Sequence, residues 1–199
     1  MLISILTFRG FNELDSLIAL GILNRIKKPD WRVNICSPEN SVTSMNGVTV
    51  SAQSLLEDIP KSDAVIVGSG ALTRDVVQNQ EIMNMLKLDP ARQLIAAQCS
   101  GTLILAKLGL LGKIPACTDL TTKPWVQEAG IEVLNTPFYA ENNIATAGGC
   151  FSSQYLAAWI IAKTVGIESA AEAIHYVAPV GEKEEYVERA MRNIAKFIV

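Results

Sequence analysis

Short apolar runs that do not alternate with polar residues set the terms for this chain. Residues 2–7, Ala64–Val67, Leu94–Gln98 and Ile144–Ala147 are such runs, too short for helices and apolar at successive positions, as expected of strands buried on both faces of a parallel sheet. Each is followed by a turn-forming segment and then a helical pattern. After the first run, Asn12 can cap a helix whose apolar stripe is Leu14, Leu17, Ile18 and Ile22. Residues 32–36 read as the next strand, ended by Ser37-Pro38, and 42–50 as a small hairpin or strand excursion around Asn46-Gly47. Helices are expected over 74–86, over 102–111 with Gly112 as stop, and near 125–129 with closure at Gly130. Strands are expected at 131–134 and 144–147. Gly148-Gly149 opens a helix through Ala162, and the last helix runs from Glu182 to about Phe197, with Val187, Met191, Ile194 and Ile198 on one side. Such βαβ succession builds an α/β fold: one domain over residues 1–199, with a mostly parallel, doubly wound sheet flanked by helices.

Composition agrees with this and removes several functions. Of 199 residues, 49% are hydrophobic and 19% charged, a balance that fills a core and excludes a disordered chain. The net charge is -3, so no basic excess exists to neutralise phosphates; neither nucleic acid nor an anionic membrane is an expected partner. No segment reads as a membrane span: the apolar stretch 1–8 is short and lacks a basic leader, and later stretches are broken by Gln98 and Lys163. The four cysteines, Cys36, Cys99, Cys117 and Cys150, are widely spaced, with one histidine to help them. That argues against a disulfide scaffold and against a metal site. A cytoplasmic protein with free thiols and no cofactor is expected.

The informative feature is the turn at Cys99. An apolar strand, a small-residue turn and an apolar helix follow each other in Leu94-Ile-Ala-Ala-Gln-Cys99-Ser-Gly-Thr-Leu-Ile-Leu. Ala97 and Gly101 permit the sharp bend of a nucleophile elbow. The bend lifts a side chain above the carboxyl edge of the sheet, where open α/β sheets bind ligands, and sets the sulfur at a helix N-terminus that favours thiolate. The alternative is a buried cysteine filling a strand end.

At this point the chain resembles the ThiJ/PfpI superfamily, a class I glutamine amidotransferase-like fold that includes the Parkinson-disease-associated deglycase, PfpI-type peptidase-like proteins and isonitrile hydratases. The resemblance rests on Phe11-Asn-Glu-Leu-Asp15 behind the first strand, Val65-Ile-Val-Gly-Ser-Gly70, the Ala-Gln-Cys99-Ser-Gly elbow, Leu108-Gly-Leu-Leu-Gly-Lys113 and Thr146-Ala-Gly-Gly149. It implies an acid beside the elbow cysteine, and the matching residue is Asp15. A carboxyl against a thiol shares one proton with it and titrates as a unit. Asp15 also stands three residues after Asn12, where an acid stabilises any helix start. Aspartate in place of glutamate favours the isonitrile hydratase branch.

The departures from the family pattern narrow the chemistry. Ser100 stands where PfpI-type members carry histidine, and the histidine after the elbow helix is matched by Asp119, or by Lys123 under a shifted register. The one histidine, His175, reads as structural. A Cys-His dyad and peptidase activity are therefore unsupported, and glyoxalase or deglycase chemistry that leans on histidine is put in doubt. Gly68-Ser69-Gly70 replaces the family's Pro-Gly-Gly turn, and the Gly70 and Ser100 amides are candidates for holding an oxyanion. Gly149 and Cys150 are read as pocket lining or as an ordinary helix start. Trp125, Phe138 and Tyr139 line a small apolar pocket or dimer surface, or are simply core. The resemblance implies a homodimeric, cysteine-dependent enzyme hydrating a small carbon–nitrogen substrate. The rivals are a glyoxalase- or deglycase-like stress protein and a small-molecule sensor related to AraC-type regulator domains, although no helix-turn-helix units are legible here.

Overall fold

Leu2–Leu6 (β1) and Ala64–Val67 (β6) lie side by side at the centre of a seven-stranded sheet in a computed structural model that describes residues 1–198. Arg32–Ser37 (β2) and the two-residue Ser54–Leu55 (β5) extend the sheet on the β1 side. Leu94–Gln98 (β7), Ile144–Ala147 (β9) and Phe138–Glu141 (β8) extend it on the other, giving the order β5-β2-β1-β6-β7-β9-β8. All pairings are parallel except β8 with β9. Ile5 stands between Ile35 and Ile66 in register, which keeps β-branched side chains in a row across the middle of the sheet.

Because side chains alternate faces along a strand, the sheet carries two cores. Ile3, Ile5, Ile35 and Ile66 point toward Glu13–Leu23 (α1), Ser153–Thr164 (α6), Ile167–Val177 (α7) and Lys183–Ile194 (α8). Leu6, Val65, Val67 and Ile95 point the other way, toward Thr73–Gln78 (α2), Gln80–Met85 (α3), Gly101–Lys107 (α4) and Lys123–Glu128 (α5). Helix α6 is apolar almost all round and buried along most of its length, as a helix must be when sheet and other helices enclose it. The chain leaves β1 toward one face, through α1, and leaves β6 toward the other, through α2. The carboxyl ends of β1 and β6 are therefore a topological switch point, where such sheets open a crevice.

Several local expectations change. The helix expected over 74–86 is two, because Asn79 adopts an extended backbone and its side-chain oxygen accepts the Ile82 amide at 3.1 Å, capping α3 afresh. The elbow helix expected through Leu111 stops at Lys107. Gly109 takes a left-handed φ of +72°, and the Leu110 and Gly109 amides close back on Leu105 and Ala106 in a Schellman turn. Residues 131–134 form no sheet strand, only a bridge from Val133 to Ala116. The sheet edge is instead β8, joined to β9 by a tight turn in which Asn142 has φ 55°. The hairpin around Asn46-Gly47 is present as Ser41–Thr43 (β3) and Thr49–Ser51 (β4). Helix α7 is new to the reading. It carries His175, which is exposed and 4.0 Å from Glu184, a surface residue remote from any thiol chemistry.

Glycine at two positions separates packing from conformation. A Cβ on Gly101 would meet the Val67 carbonyl oxygen at 2.3 Å, whereas one on Gly21, inside α1, meets nothing within 4 Å. Gly101→Ala is expected to lower stability by at least the roughly 1–3 kcal/mol of overpacking, while Gly21→Ala raises it by about 0.5–1 kcal/mol. Denaturant midpoints of the two variants check the pair.

Candidate active site

The end of β7 delivers Cys99 in a left-handed conformation, φ 47°. For a residue with a Cβ this is a strain of order 1–3 kcal/mol, tolerated where surrounding bonds over-determine it. They do so here. The Cys99 amide donates to the Ala147 carbonyl at 2.8 Å, and the Thr118 hydroxyl donates to the Cys99 carbonyl at 2.8 Å. Gly101 then lets α4 start directly against the backbone of residues 67 and 68. This is the elbow expected from the sequence.

Asp15 approaches from α1. Asn12 caps that helix, its side-chain oxygen accepting the Leu14 amide at 3.1 Å, so Asp15 occupies the third helical position. The bond that would make it a capping acid is absent: the Asn12 amide goes to the Ser69 carbonyl at 2.9 Å. The Asp15 carboxyl turns inward instead. Its Oδ2 accepts the Ser69 hydroxyl, while Oδ1 is buried without a hydrogen-bond partner. The Ser153 hydroxyl holds the Asp15 carbonyl at 2.5 Å. A carboxylate oxygen of Asp15, Cys99 Sγ and Cys150 Sγ all lie within 4.8 Å of one another.

The charge balance of this cluster differs from the sequence expectation in sign. Cys99 is only 4% exposed and Asp15 1%. Burial comes first in pushing the Cys99 thiol well above its ordinary range, and the neighbouring Asp15 carboxylate pushes it further. The expectation of an exposed sulfur kept as thiolate by a helix N-terminus is thus corrected. Helix α4 has seven residues, too few to outweigh a desolvated acid in contact. Burial also raises Asp15 above the ordinary carboxylate value of 3.8, against the lowering effect of its Ser69 bond. Cys150, half-buried, is raised for the same reasons in the same order: desolvation, then Asp15.

The other expected residues divide into groups. Gly149 and Cys150 belong to the cluster. Gln98 donates from Nε2 to the Gly149 carbonyl at 2.8 Å and to Cys99 Sγ at 3.4 Å, and Asn12 Nδ2 donates to Cys150 Sγ at 3.3 Å. Ser100 and Gly70 are bonded to each other, the Gly70 amide donating to Ser100 Oγ at 3.1 Å, with the Thr73 hydroxyl 2.7 Å from the same oxygen. Asp119 stands apart. Its Oδ1 accepts the Thr121 and Thr122 amides at 2.9 and 3.0 Å ahead of α5, and it reaches the site only through its charge, which raises both Asp15 and Cys99. Lys123 begins α5. Phe138 packs in the core on Trp159 and Phe197, and Tyr139 stacks on Phe197 at the sheet edge. Trp125 lies under Arg74 in a 270 Å³ cleft between α2, α4 and α5.

Ser69, Gln98, Asn12 and Ser153 are site residues that the sequence reading did not assign. Ser69 lay within the turn singled out beside the thiol and Asn12 was read only as a helix cap, while Gln98 stood out as an amide at the end of an apolar strand. A cleft of 660 Å³ lies over the carboxyl ends of β1 and β2 between Phe8, Pro38, Val42 and Leu72. Its lining includes none of Cys99, Asp15 and Cys150. As a donor set for a metal, the cluster supplies two thiols and a carboxyl. The scattered cysteines thus converge more closely than their spacing suggests, though binding would have to displace protons from two thiols that burial holds on.

With this geometry in view, sequence comparison places the chain in a family. The model of the DJ-1/PfpI family matches residues 1–163, and the chain belongs to that family. A search of curated proteins finds no match. Among solved structures, oxidized Toxoplasma gondii DJ-1 is 21% identical with a TM-score of 0.76, over 88% of this chain and 97% of that one. A ThiJ/PfpI family protein from Pseudomonas syringae is 18% identical with a TM-score of 0.76, over 98% and 88%. Schizosaccharomyces pombe DJ-1 is 16% identical with a TM-score of 0.66, over 95% and 98%. At these identities the likeness is one of fold.

Linkage gives Asp15 a signature. A carboxyl whose folded value is raised stabilises the fold below its ordinary titration near 3.8 and loses that contribution as pH rises through the raised value. Asp15→Asn removes the loss, so its melting temperature should gain on wild type as pH is raised from 4 toward neutrality. The same variant removes a negative neighbour from Cys99, and its thiol should titrate at lower pH. Melting curves against pH and thiolate absorbance check the two signs.

Proposed function

We propose that the protein is a cofactor-free cysteine enzyme that hydrates a small carbon–nitrogen substrate, with an isonitrile as the model substrate. The observation that carries the reading is the buried Asp15 carboxyl, raised in pKa and set against a thiol. An acid that burial makes slower to ionise holds its proton to higher pH than a free carboxyl and can deliver it, and an isonitrile needs a proton on its terminal carbon before that carbon accepts a nucleophile. In the proposed reaction the Asp15 proton goes to the terminal carbon and Cys99 sulfur adds to the same atom. The thiol proton returns to Asp15, leaving a thioimidate. Water adds to its carbon, sulfur leaves, and an N-substituted formamide is released. Charge developing in the adduct falls to the Ser100 amide, the position after the nucleophile that elbow geometry assigns to this task. The Gly70 amide joins only once Ser100 Oγ releases it. No histidine enters any step.

A second reading, a non-catalytic small-molecule sensor, draws support from the 660 Å³ cleft beside the switch point and from the reluctance of Cys99 to ionise. Assay of a simple alkyl isonitrile separates the two. Wild type should produce the formamide, Cys99→Ala should abolish it, and Asp15→Asn should reduce it by roughly a hundredfold or more. Absence of turnover in wild type, with saturable binding of small ligands, would select the sensor.

A further inference from the structure

Cys150 has no part in the reaction above, yet its sulfur lies within 4.8 Å of the Cys99 sulfur. The two are held differently. Cys99 is fixed by bonds at both its amide and its carbonyl. Cys150 opens a single 3-10 turn, Cys150–Ser152, directly after Gly149, which has φ +86° and nothing within 4 Å of the place a Cβ would occupy. Cys150 is also the one cysteine that is not buried. A disulfide needs the sulfurs at about 2.05 Å. A short closing movement of the Cys150 turn about Gly149, with Cys99 stationary, brings them there. The movement gives up the long N–H···S approach from Asn12 at 3.3 Å, and the Gln98 bond to the Gly149 carbonyl at 2.8 Å holds the hinge end in place.

We infer that Cys150 and Cys99 form a reversible redox pair that closes on reaction with a hydroperoxide. The accessible Cys150 sulfur takes the outer oxygen of the peroxide, and its thiol proton passes to water. The O–O bond breaks, and the departing alkoxide or hydroxide collects the proton. The Cys150 sulfenic acid so formed is then attacked by Cys99 sulfur. The S–S bond forms as the S–O bond breaks, and hydroxide leaves as water with the Cys99 proton. Two thiols are oxidised by two electrons and one peroxide is reduced. The pairing itself is independent of substrate. Its consequence, that Cys99 is masked and spared further oxidation, rests on the catalytic reading of Cys99.

Mapping of the whole protein after a few equivalents of hydrogen peroxide, alkylated and digested without reduction, tests the pair. A Cys99–Cys150 cross-linked peptide is expected, with the intact mass lowered by two hydrogens, two of the four thiols lost, and both recovered with dithiothreitol. In Cys99→Ser the Cys150 sulfenic acid should accumulate and be trapped by dimedone. In Cys150→Ser, labelling of Cys99 should be about tenfold slower than that. Conversion of Cys99 to sulfinic acid with Cys150 untouched, or a cross-link through Cys36 or Cys117, would overturn the inference. A cross-link in a protein without isonitrile turnover leaves the redox pair standing and removes only the hydratase. Turnover without a cross-link does the reverse.

Discussion

The left-handed backbone at Cys99 is the constraint from which the site follows. It exists because three parallel strands, β6, β7 and β9, end at one level, so that the Ala147 carbonyl is in place to take the Cys99 amide and the backbone at Val67 and Gly68 lies close enough to exclude any side chain at position 101. The strain is small beside the packing that enforces it. Two cores, one on each side of the sheet, would have to loosen before the elbow relaxed. A sulfur held this way has little freedom, and whatever approaches it must come from the neighbouring loops.

What approaches is a carboxyl. Asp15 sits on a helix of one face and the Ser69 loop leads to a helix of the other, so the pair closes the crevice that the reversal between β1 and β6 opens. Desolvation makes this cluster a store of protons rather than of negative charge. Each of its acids is raised by burial, and Asp15 raises both thiols further, while the hydrogen bonds of the two thiols pull Asp15 back down. In the proposed reaction such a cluster gives a proton first and attacks second, opposite in order to a Cys-His dyad that begins with a thiolate.

The sheet was legible in the sequence because burial on both faces leaves a mark that needs no tertiary knowledge: runs such as Val65-Ile66-Val67 have no polar phase. The elbow was legible for a related reason, since only small residues fit beside it. Strand β8 was not. Phe138–Glu141 contains a tyrosine and an acid, and it becomes a strand by pairing with β9 rather than by its own pattern. Helix α7 was not read, although Ile167, Ala170, Ile174 and Val177 recur at helical spacing. Within the site, the elbow pattern found Cys99 and the family resemblance found Asp15. Cys150 and Asn12 lie 138 residues apart in the chain and meet only in the fold. The protonation state was misjudged for a physical reason: a helix terminus is visible in sequence, whereas the depth at which a sulfur lies is not.

The two ends of the sheet also decide how the protein behaves in company. An exposed strand edge is a template for any other chain with free amides, and long parallel sheets are prone to growth by that route. Here one border is β5, two residues long, and the other is β8, whose Phe138 and Tyr139 are both covered edge-on by the ring of Phe197. The 3-10 turn Ala195–Phe197 therefore packs over one border of the sheet while brevity limits the other, so that neither offers a long bare strand to a neighbouring molecule.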